Sequence, residues 1–504
     1  MPNALRRTVL AAAAALVPAF VFSSAATAQD AGGCSVELYK PAQLAQAAIL
    51  IQQAAALPEG EPAAKALRDA MRLLQDDRRF TTNPLGLAFS RAQIYILWLH
   101  QETAKERMTP FELNSGRDRT TMIDLVGVAD SLLTIVETAA PECVGDIDRW
   151  RQSKPWNDRI GTAYRFLEAN QVDSAQHYAN AALRLDRRSP FIYNAYAQLA
   201  ARRGDGAALR TNLEKSIELA DRDTALVETT RQLRTQYAAS LQEAAMSTAD
   251  IAERNRMLDV SARTFLRIGQ EDPASANGPA FISAALDIAM LLQDTSLVRE
   301  VIGPMLEDPV PYPDLALLIG AETSRMLNRS DEAMTLYRSA LEKNPNIRDA
   351  NYFLAFLSIE AKKPQDAMPL IEKLLQLDPS NPDNLMMKAL ALRPVAEAER
   401  DPTKRRALIR DVDAVTQLES AMQQQLRVTR FERRAEGALF SGEIENRGRV
   451  AKTYTLEIEF LDLEGNVVET LSVTTASAAP NATVPFSVTP TRPGIAAYRY
   501  KPLQ

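Results

Sequence analysis

The stretch DEAMTLYRSALEKNP, residues 331–345, is followed 34 residues later by the similar stretch QDAMPLIEKLLQLDP, residues 365–379. Both have alanine in third place and proline in last place, with apolar residues three or four apart between them. That spacing places the apolar side chains on one face of a helix, and the proline ends the helix. The two stretches therefore predict equivalent helices in a repeating array.

The 34-residue interval extends beyond these two stretches. Ala321, Ala355 and Ala389 follow one another at this interval, and an earlier block repeats it with Ala163 and Ala197. Small side chains let two helices approach closely, so these alanines mark helix–helix contacts. Two regular blocks are predicted, residues 155–223 and residues 314–395.

These residues resemble the tetratricopeptide repeat family, whose unit is two antiparallel helices with small residues at two sites and a proline near the end. The resemblance implies a mainly α protein, a tetratricopeptide-type α-solenoid of antiparallel helix pairs. Gly204 stands where the family turns between its two helices, a place that tolerates positive φ. Lys362 replaces that glycine in a later repeat.

The remaining helical sequence is less regular. Residues 29–154 are predicted to form an N-terminal helical segment that caps the array, since a terminal repeat would otherwise expose its apolar face. Residues 224–313 are interpreted as degenerate repeats with longer helices. Residues 396–425 are interpreted as a linking helix.

The hydrophobic period changes from 3.6 to 2 near residue 426. From Tyr454 to Phe460 every even position is apolar and every odd one polar, the pattern of a half-buried strand. Further short alternating runs predict a small all-β sandwich over residues 426–504. Ile458–Asp462 with Gly465 resembles the FxLYD domain, an immunoglobulin-like module of exported bacterial proteins, although Leu461 stands where that family prefers tyrosine.

The first 28 residues have the pattern of a signal peptide. Arg6 and Arg7 precede an apolar run, and a small-residue end at Ala28 follows. An uncleaved anchor is the alternative, but the run has only about 14 residues and a spanning helix needs about 20. A lipid anchor at Cys34 and twin-arginine export are further alternatives. The predicted location is the periplasm or cell exterior of a bacterium.

The chain contains two cysteines, Cys34 and Cys143. An oxidising compartment lets such a pair close, so one disulfide is predicted. The alternative is two unrelated buried thiols.

The sequence offers little chemistry for catalysis or charge-driven binding. The formal charge is −6, which gives no basic surface for nucleic acid, and no other apolar run is long enough for a membrane span. The only histidines, His100 and His177, lack the spacing of a metal site or a catalytic triad. No catalytic residue, metal or cofactor is predicted.

By resemblance to the family, the first helix of each repeat lines a groove. Inward positions carried onto this sequence give Asn194 and Gln198, which could bond an extended peptide backbone, and Tyr352 and Phe356, which could hold an apolar side chain. The competing interpretation is that these aromatic residues pack against the neighbouring repeat.

The predicted function is a non-enzymatic exported scaffold that binds a protein or peptide partner in the cell envelope through this groove. A second hypothesis makes the terminal sandwich the recognition module, for glycan, peptide or lipid headgroup. If the protein were an enzyme, its active site would have to consist of residues whose spacing shows no known catalytic pattern. The identity of the partner and the oligomeric state do not follow from the sequence.

Overall fold

The structure is a computed structural model that describes residues 34, 36, 41–101 and 105–503. The predicted signal peptide, residues 1–28, lies outside the described residues. The chain divides into two compact units, residues 1–249 and 250–504. This boundary falls inside the segment 224–313 that the sequence pattern treats as one.

The first unit is built from helices. They are α1 Ala42–Ala56, α2 Glu61–Leu73, α3 Pro84–Leu99, α4 Leu125–Ala139, α5 Val144–Arg151, α6 Lys154–Glu168, α7 Val172–Leu185, α8 Pro190–Arg202, α9 Gly206–Ala220 and α10 Val227–Ser247. Two short strands, β1 Arg107–Met108 and β2 Ile123–Asp124, pair antiparallel between α3 and α4. The repeat alanines Ala163 and Ala197 are buried between the helix pairs.

Cys34 and Cys143 form a disulfide in this unit, as predicted. Both side chains are buried in the same apolar core as α1, α3 and α4. The bridge ties a segment ahead of α1 to the short turn before α5, across 109 residues of sequence. A loop of this size restricts the unfolded chain strongly.

The second unit continues the helical pattern. Its helices are α11 Ile251–Glu271, α12 Gly278–Leu292, α13 Thr295–Glu307, α14 Asp314–Met326, α15 Ser330–Lys343, α16 Arg348–Glu360, α17 Pro364–Leu377, α18 Pro382–Ala398 and α19 Pro402–Ala421. The successive pairs α14–α15, α16–α17 and α18–α19 form a tetratricopeptide-type solenoid. The predicted linking helix is the second member of the last pair, because Val412 and Val415 of α19 pack on Leu392 of α18.

Five of the turns within helix pairs share one backbone conformation. Asn170, Gly204, Gln293, Asn328 and Lys362 all have φ between 55° and 71°, the left-handed region in which glycine is least strained. Gln293 lies in the irregular segment, between α12 and α13. That segment therefore contains a helix pair with the same turn as the regular repeats.

The second unit ends in a small β-sandwich. Its strands are β3 Gln424–Arg434, β4 Gly437–Asn446, β5 Thr455–Leu461, β6 Val467–Thr474, β7 Thr483–Val488 and β8 Ala497–Tyr500. They form two antiparallel sheets with strand orders β3-β4-β7 and β6-β5-β8. The sheets face each other through aromatic contacts, with the Phe440 ring centroid 5.8 Å from that of Phe460 and 4.7 Å from that of Tyr498.

No helix in the described part of the chain combines the length and the apolar character that crossing a membrane requires.

Candidate partner-binding groove

Four large apolar side chains lie on the first helices of two successive repeats. They are Tyr352 and Phe356 on α16 and Met386 and Leu390 on α18, here called the apolar strip. Tyr352 and Met386 are 34 residues apart, as are Phe356 and Leu390. Each pair therefore occupies the same position in consecutive repeats. Because α16 and α18 contact each other, the strip continues from one repeat to the next.

Most of the strip is open to solvent. Phe356 is 40% exposed, Met386 53% and Leu390 48%, whereas the neighbouring Ala355 and Ala389 on the same helices are at most 9% exposed. The alanines carry the contact between helices, so Phe356, Met386 and Leu390 are not needed to close the core. Exposed groups of large apolar side chains are commonly found where proteins contact partners.

Tyr352 has a mixed environment. Its ring is half-buried and packs against the core cluster that contains Ala355 and Ile371. The Arg348 guanidinium carbon lies 4.8 Å from the ring centroid, within the range of a cation–π contact. Burial raises the pKa of the Tyr352 hydroxyl. Tyr352 therefore packs partly in the core and lies partly in the groove, while Phe356 has the exposure expected of a groove residue.

A pocket extends the strip towards α19. It has a volume of about 150 Å³ and is lined in part by Met386, Leu390 and Arg393 of α18 and by Val415, Thr416 and Glu419 of α19. A more open depression of about 620 Å³ adjoins it along α19 and shares Thr416. The lining of the smaller pocket is mainly apolar and includes one cation and one carboxylate.

Asn194 and Gln198, the other two predicted site residues, lie on α8 in the first unit. Asn194 is only 4% exposed, and its amide lies against the hydroxyl of Tyr164. That hydroxyl donates a hydrogen bond to the carbonyl oxygen of Phe191 at 2.7 Å. Gln198 is partly exposed. Asn194 is therefore a core residue in this structure, and only Gln198 of this pair presents a polar group to solvent.

The histidines have ordinary structural surroundings. His100 Nε2 lies 3.5 Å from Ser153 Oγ, but that hydroxyl donates to the carbonyl oxygen of Trp150 at 2.7 Å and is not held as a nucleophile. Burial lowers the pKa of His100 to about 4. His177 meets the edge of the Tyr178 ring.

Within residues 34, 36, 41–101 and 105–503, no three His, Cys, Asp or Glu side chains are grouped as metal ligands.

Two features lie outside the four residues chosen as the predicted site. The inward positions of Tyr352 and Phe356, carried one repeat further along the chain, give Met386 and Leu390, which carry most of the exposed apolar surface of the strip. Arg348, which covers Tyr352, also contacts Asp378 at 3.0 Å. No local sequence pattern signals that ion pair.

A family model for the tetratricopeptide repeat matches residues 326–391, which include all four strip residues. No curated protein matches the sequence.

Three solved structures that match are distant in sequence. The TPR2AB domain of yeast Sti1 in complex with pHSP90 is 14% identical over 53% of this chain and 98% of that chain, with a TM-score of 0.18. Yeast Tom70 is 14% identical over 76% of this chain and 66% of that chain, with a TM-score of 0.22. The P58(IPK) TPR domain is 14% identical over 75% of this chain and 100% of that chain, with a TM-score of 0.17. At such TM-scores these matches establish no common overall shape.

Proposed function

We propose that this protein is a non-enzymatic exported scaffold that binds a protein or peptide partner through the apolar strip and the adjoining pocket. The observation that carries the proposal is the exposure of Phe356, Met386 and Leu390, which are between 40% and 53% accessible at equivalent positions of adjacent repeats.

The arrangement of the strip suits a linear partner. Packed helices lie about 8–10 Å apart, so a segment crossing α16 and α18 would meet apolar side chains at regular steps. Large apolar and aromatic residues provide most of the binding energy in such interfaces. Arg393, which lines the pocket, offers a donor to the partner's backbone, and Glu419, which also pairs with Arg447 at 3.6 Å, offers an acceptor.

Export is proposed from the sequence of residues 1–28, and the disulfide is compatible with it, because such bonds persist in oxidising compartments. We place the partner in the bacterial envelope on this ground. The FxLYD-like character of the sandwich is likewise proposed from Ile458–Asp462 and Gly465.

Site-specific photo-crosslinking in the producing cell tests the proposal. A p-benzoylphenylalanine is introduced in place of Phe356 or of Leu390, and in a matched control in place of Val450, which is 72% exposed on the sandwich. We expect a defined protein adduct from positions 356 and 390 and none from position 450. The adduct from position 390 should weaken when Tyr352→Ala and Phe356→Ala are combined.

Two results would oppose the proposal. Adducts that form only from position 450 would make the sandwich the recognition module. A Tyr352→Ala, Phe356→Ala protein that loses its cooperative unfolding transition, with unchanged adducts in the fraction that remains folded, would assign both aromatic residues to the core.

A further inference from the structure

The β-sandwich contacts the solenoid at three successive places, all at or beside the beginning of a repeat. These are Asp314 at the start of α14, the turn 344–347 before α16 and the turn 378–383 before α18, together called the docking turns. All three lie on the second unit, and each is held by polar contacts that are buried or partly buried.

The first contact is an ion pair. The guanidinium of Arg433 on β3 donates to both carboxylate oxygens of Asp314, at 3.0 and 2.8 Å. Asp314 is 5% exposed and Arg433 16%. A bidentate pair of this kind fixes orientation as well as distance.

The second contact involves the turn before α16. Asn344, which is fully buried, donates to Asp314 at 2.9 Å and to the carbonyl oxygen of Ala496 beside β8 at 3.3 Å. Gly465, in the β5–β6 turn, approaches Asn346 so closely that an added Cβ would lie 2.9 Å from its side-chain nitrogen. The sandwich therefore reaches this turn from two of its own segments.

The third contact surrounds Asp378, which is fully buried. The Tyr500 hydroxyl donates to its carboxylate, and Arg348 donates to the same carboxylate from α16 at 3.0 Å. Ser380 is engaged on both sides, since its carbonyl oxygen accepts from the Leu426 amide at 3.0 Å and its hydroxyl accepts from the Leu503 amide at 3.1 Å.

We propose that the β-sandwich is a brace that fixes the angles between the three helix pairs α14–α15, α16–α17 and α18–α19. In a repeat array each repeat contacts only its neighbours, so small rotations between repeats add up to bending. A rigid body attached to three consecutive repeats links the first directly to the third and opposes that bending. The brace does not depend on the proposed function. The brace would also fix the spacing of α16 and α18, and the importance of that spacing for partner binding does rest on the proposed function.

Hydrogen–deuterium exchange on the full chain tests the brace. Tyr500→Phe removes only the hydroxyl that reaches Asp378, and Arg433→Gln removes the pair with Asp314. Lys501→Gln is the control, because it breaks an exposed pair with Glu457 within the same sheet and touches no docking turn. We expect the double variant to lose protection about tenfold in the docking turns and in α14 and α16, since buried hydrogen bonds to charged groups are lost. Protection of β4 and β5 should match that of the control.

Unchanged protection of α14 and α16 relative to Lys501→Gln would overturn the proposal. If the double variant also loses protection in β4 and β5, the sandwich itself is disturbed. The exchange of α14 and α16 is then compared between Tyr500→Phe alone and Lys501→Gln, because Tyr500→Phe deletes a single oxygen and keeps the buried ring.

Discussion

The hydroxyl of Tyr500 donates a hydrogen bond to the carboxylate of Asp378, so a β-strand and a repeat turn 122 residues earlier share one buried acceptor. The same carboxylate accepts from Arg348 at 3.0 Å and from the Asn381 side chain at 2.8 Å. Three donors from three parts of the second unit therefore depend on a single side chain.

Replacing Asp378 should be strongly destabilising. Asp378→Ala leaves a largely buried cation, a buried hydroxyl and a buried amide without their acceptor, and loss of one partner of a buried pair costs about 3–5 kcal/mol. The matched control is Asp349→Ala, which removes the other carboxylate on Arg348, at 3.1 Å but 54% exposed. That change should cost less than about 1 kcal/mol. Urea unfolding followed by circular dichroism measures both, and equal effects would contradict the prediction.

Replacing Lys362 with glycine should stabilise the folded protein. Its φ of 59° strains any residue with a Cβ, by about 1–2 kcal/mol, while the greater freedom of glycine in the unfolded chain offsets part of the gain. Lys362→Gly should therefore stabilise the second unit by about 0.5–1 kcal/mol. The neighbouring Lys363→Gly, at φ −118°, serves as control and should stabilise nothing. A lower midpoint for Lys362→Gly in thermal unfolding would refute the prediction.

His100 should make the first unit sensitive to mild acid. Burial lowers its pKa from 6.5 to about 4, so between these values the unfolded chain binds a proton that the folded chain does not. The contribution of the neutral His100 to stability is therefore fully present above pH 6.5 and is lost as the pH decreases towards 4. Because the ring is partly exposed, we expect the contribution of His100 to fall by about 1 kcal/mol between pH 7 and pH 5, while the Asp148 carboxyl, whose pKa burial raises to about 6, acts in the opposite direction. His100→Gln should unfold with a smaller difference between these two pH values, and an unchanged difference would count against the assignment.

The disulfide should contribute much of the stability of the first unit. The chain-entropy model gives a closed loop of this length about 4–5 kcal/mol, with smaller values common in practice. Cys34→Ser combined with Cys143→Ser should lower the unfolding free energy accordingly. Reductant should have the same effect on the natural protein and none on the variant, which makes the variant its own control. An unfolding curve of the natural protein that ignores reductant would contradict this prediction.

Two sandwich glycines should respond differently to a methyl group. Both have positive φ, 95° at Gly437 and 84° at Gly494. A Cβ on Gly437 would lie 1.9 Å from the carbonyl oxygen of Pro490, whereas a Cβ on Gly494 meets nothing within 4 Å. Gly494→Ala should cost only the backbone strain, about 1–2 kcal/mol. Gly437→Ala should cost clearly more, and similar melting temperatures of the two variants would show that the β3–β4 turn relaxes easily.

The sequence pattern predicts the helix pairs well because their contacts are periodic. Ala321, Ala355 and Ala389 recur at one interval and all lie in the buried contact between helices. In residues 224–313 the pattern predicts degenerate repeats but does not locate the α12–α13 pair, whose turn uses Gln293 in place of glycine and whose buried Leu286 takes the place of a small residue. The alternation around Ile458 likewise predicts a strand of the sandwich, since successive side chains of a strand point to opposite faces and the pattern is visible among neighbouring residues.

Features that join distant segments escape such reasoning. Asn344 and Asp378 each precede a proline and look like helix-ending residues, which they are, but nothing near them indicates Ala496 or Tyr500. Asn194 shows the opposite limit. Its position in the repeat predicts exposure in a groove, but the neighbouring repeat places Tyr164 against it. Whether Asn194 is exposed or buried therefore depends on the three-dimensional packing.

The contact between Asp314 and Arg433 also affects how the protein is made. Helical repeats ordinarily assemble from local contacts as the chain emerges, but the docking turns here obtain their partners only after about 120 further residues have been synthesised. Until then Asp378 lacks the donor hydroxyl of Tyr500, and Asn344 lacks the acceptor carbonyl of Ala496. The last repeats should accordingly mature together with the sandwich in a single late event, and nascent chains halted before β8 should be preferred substrates for proteases and chaperones.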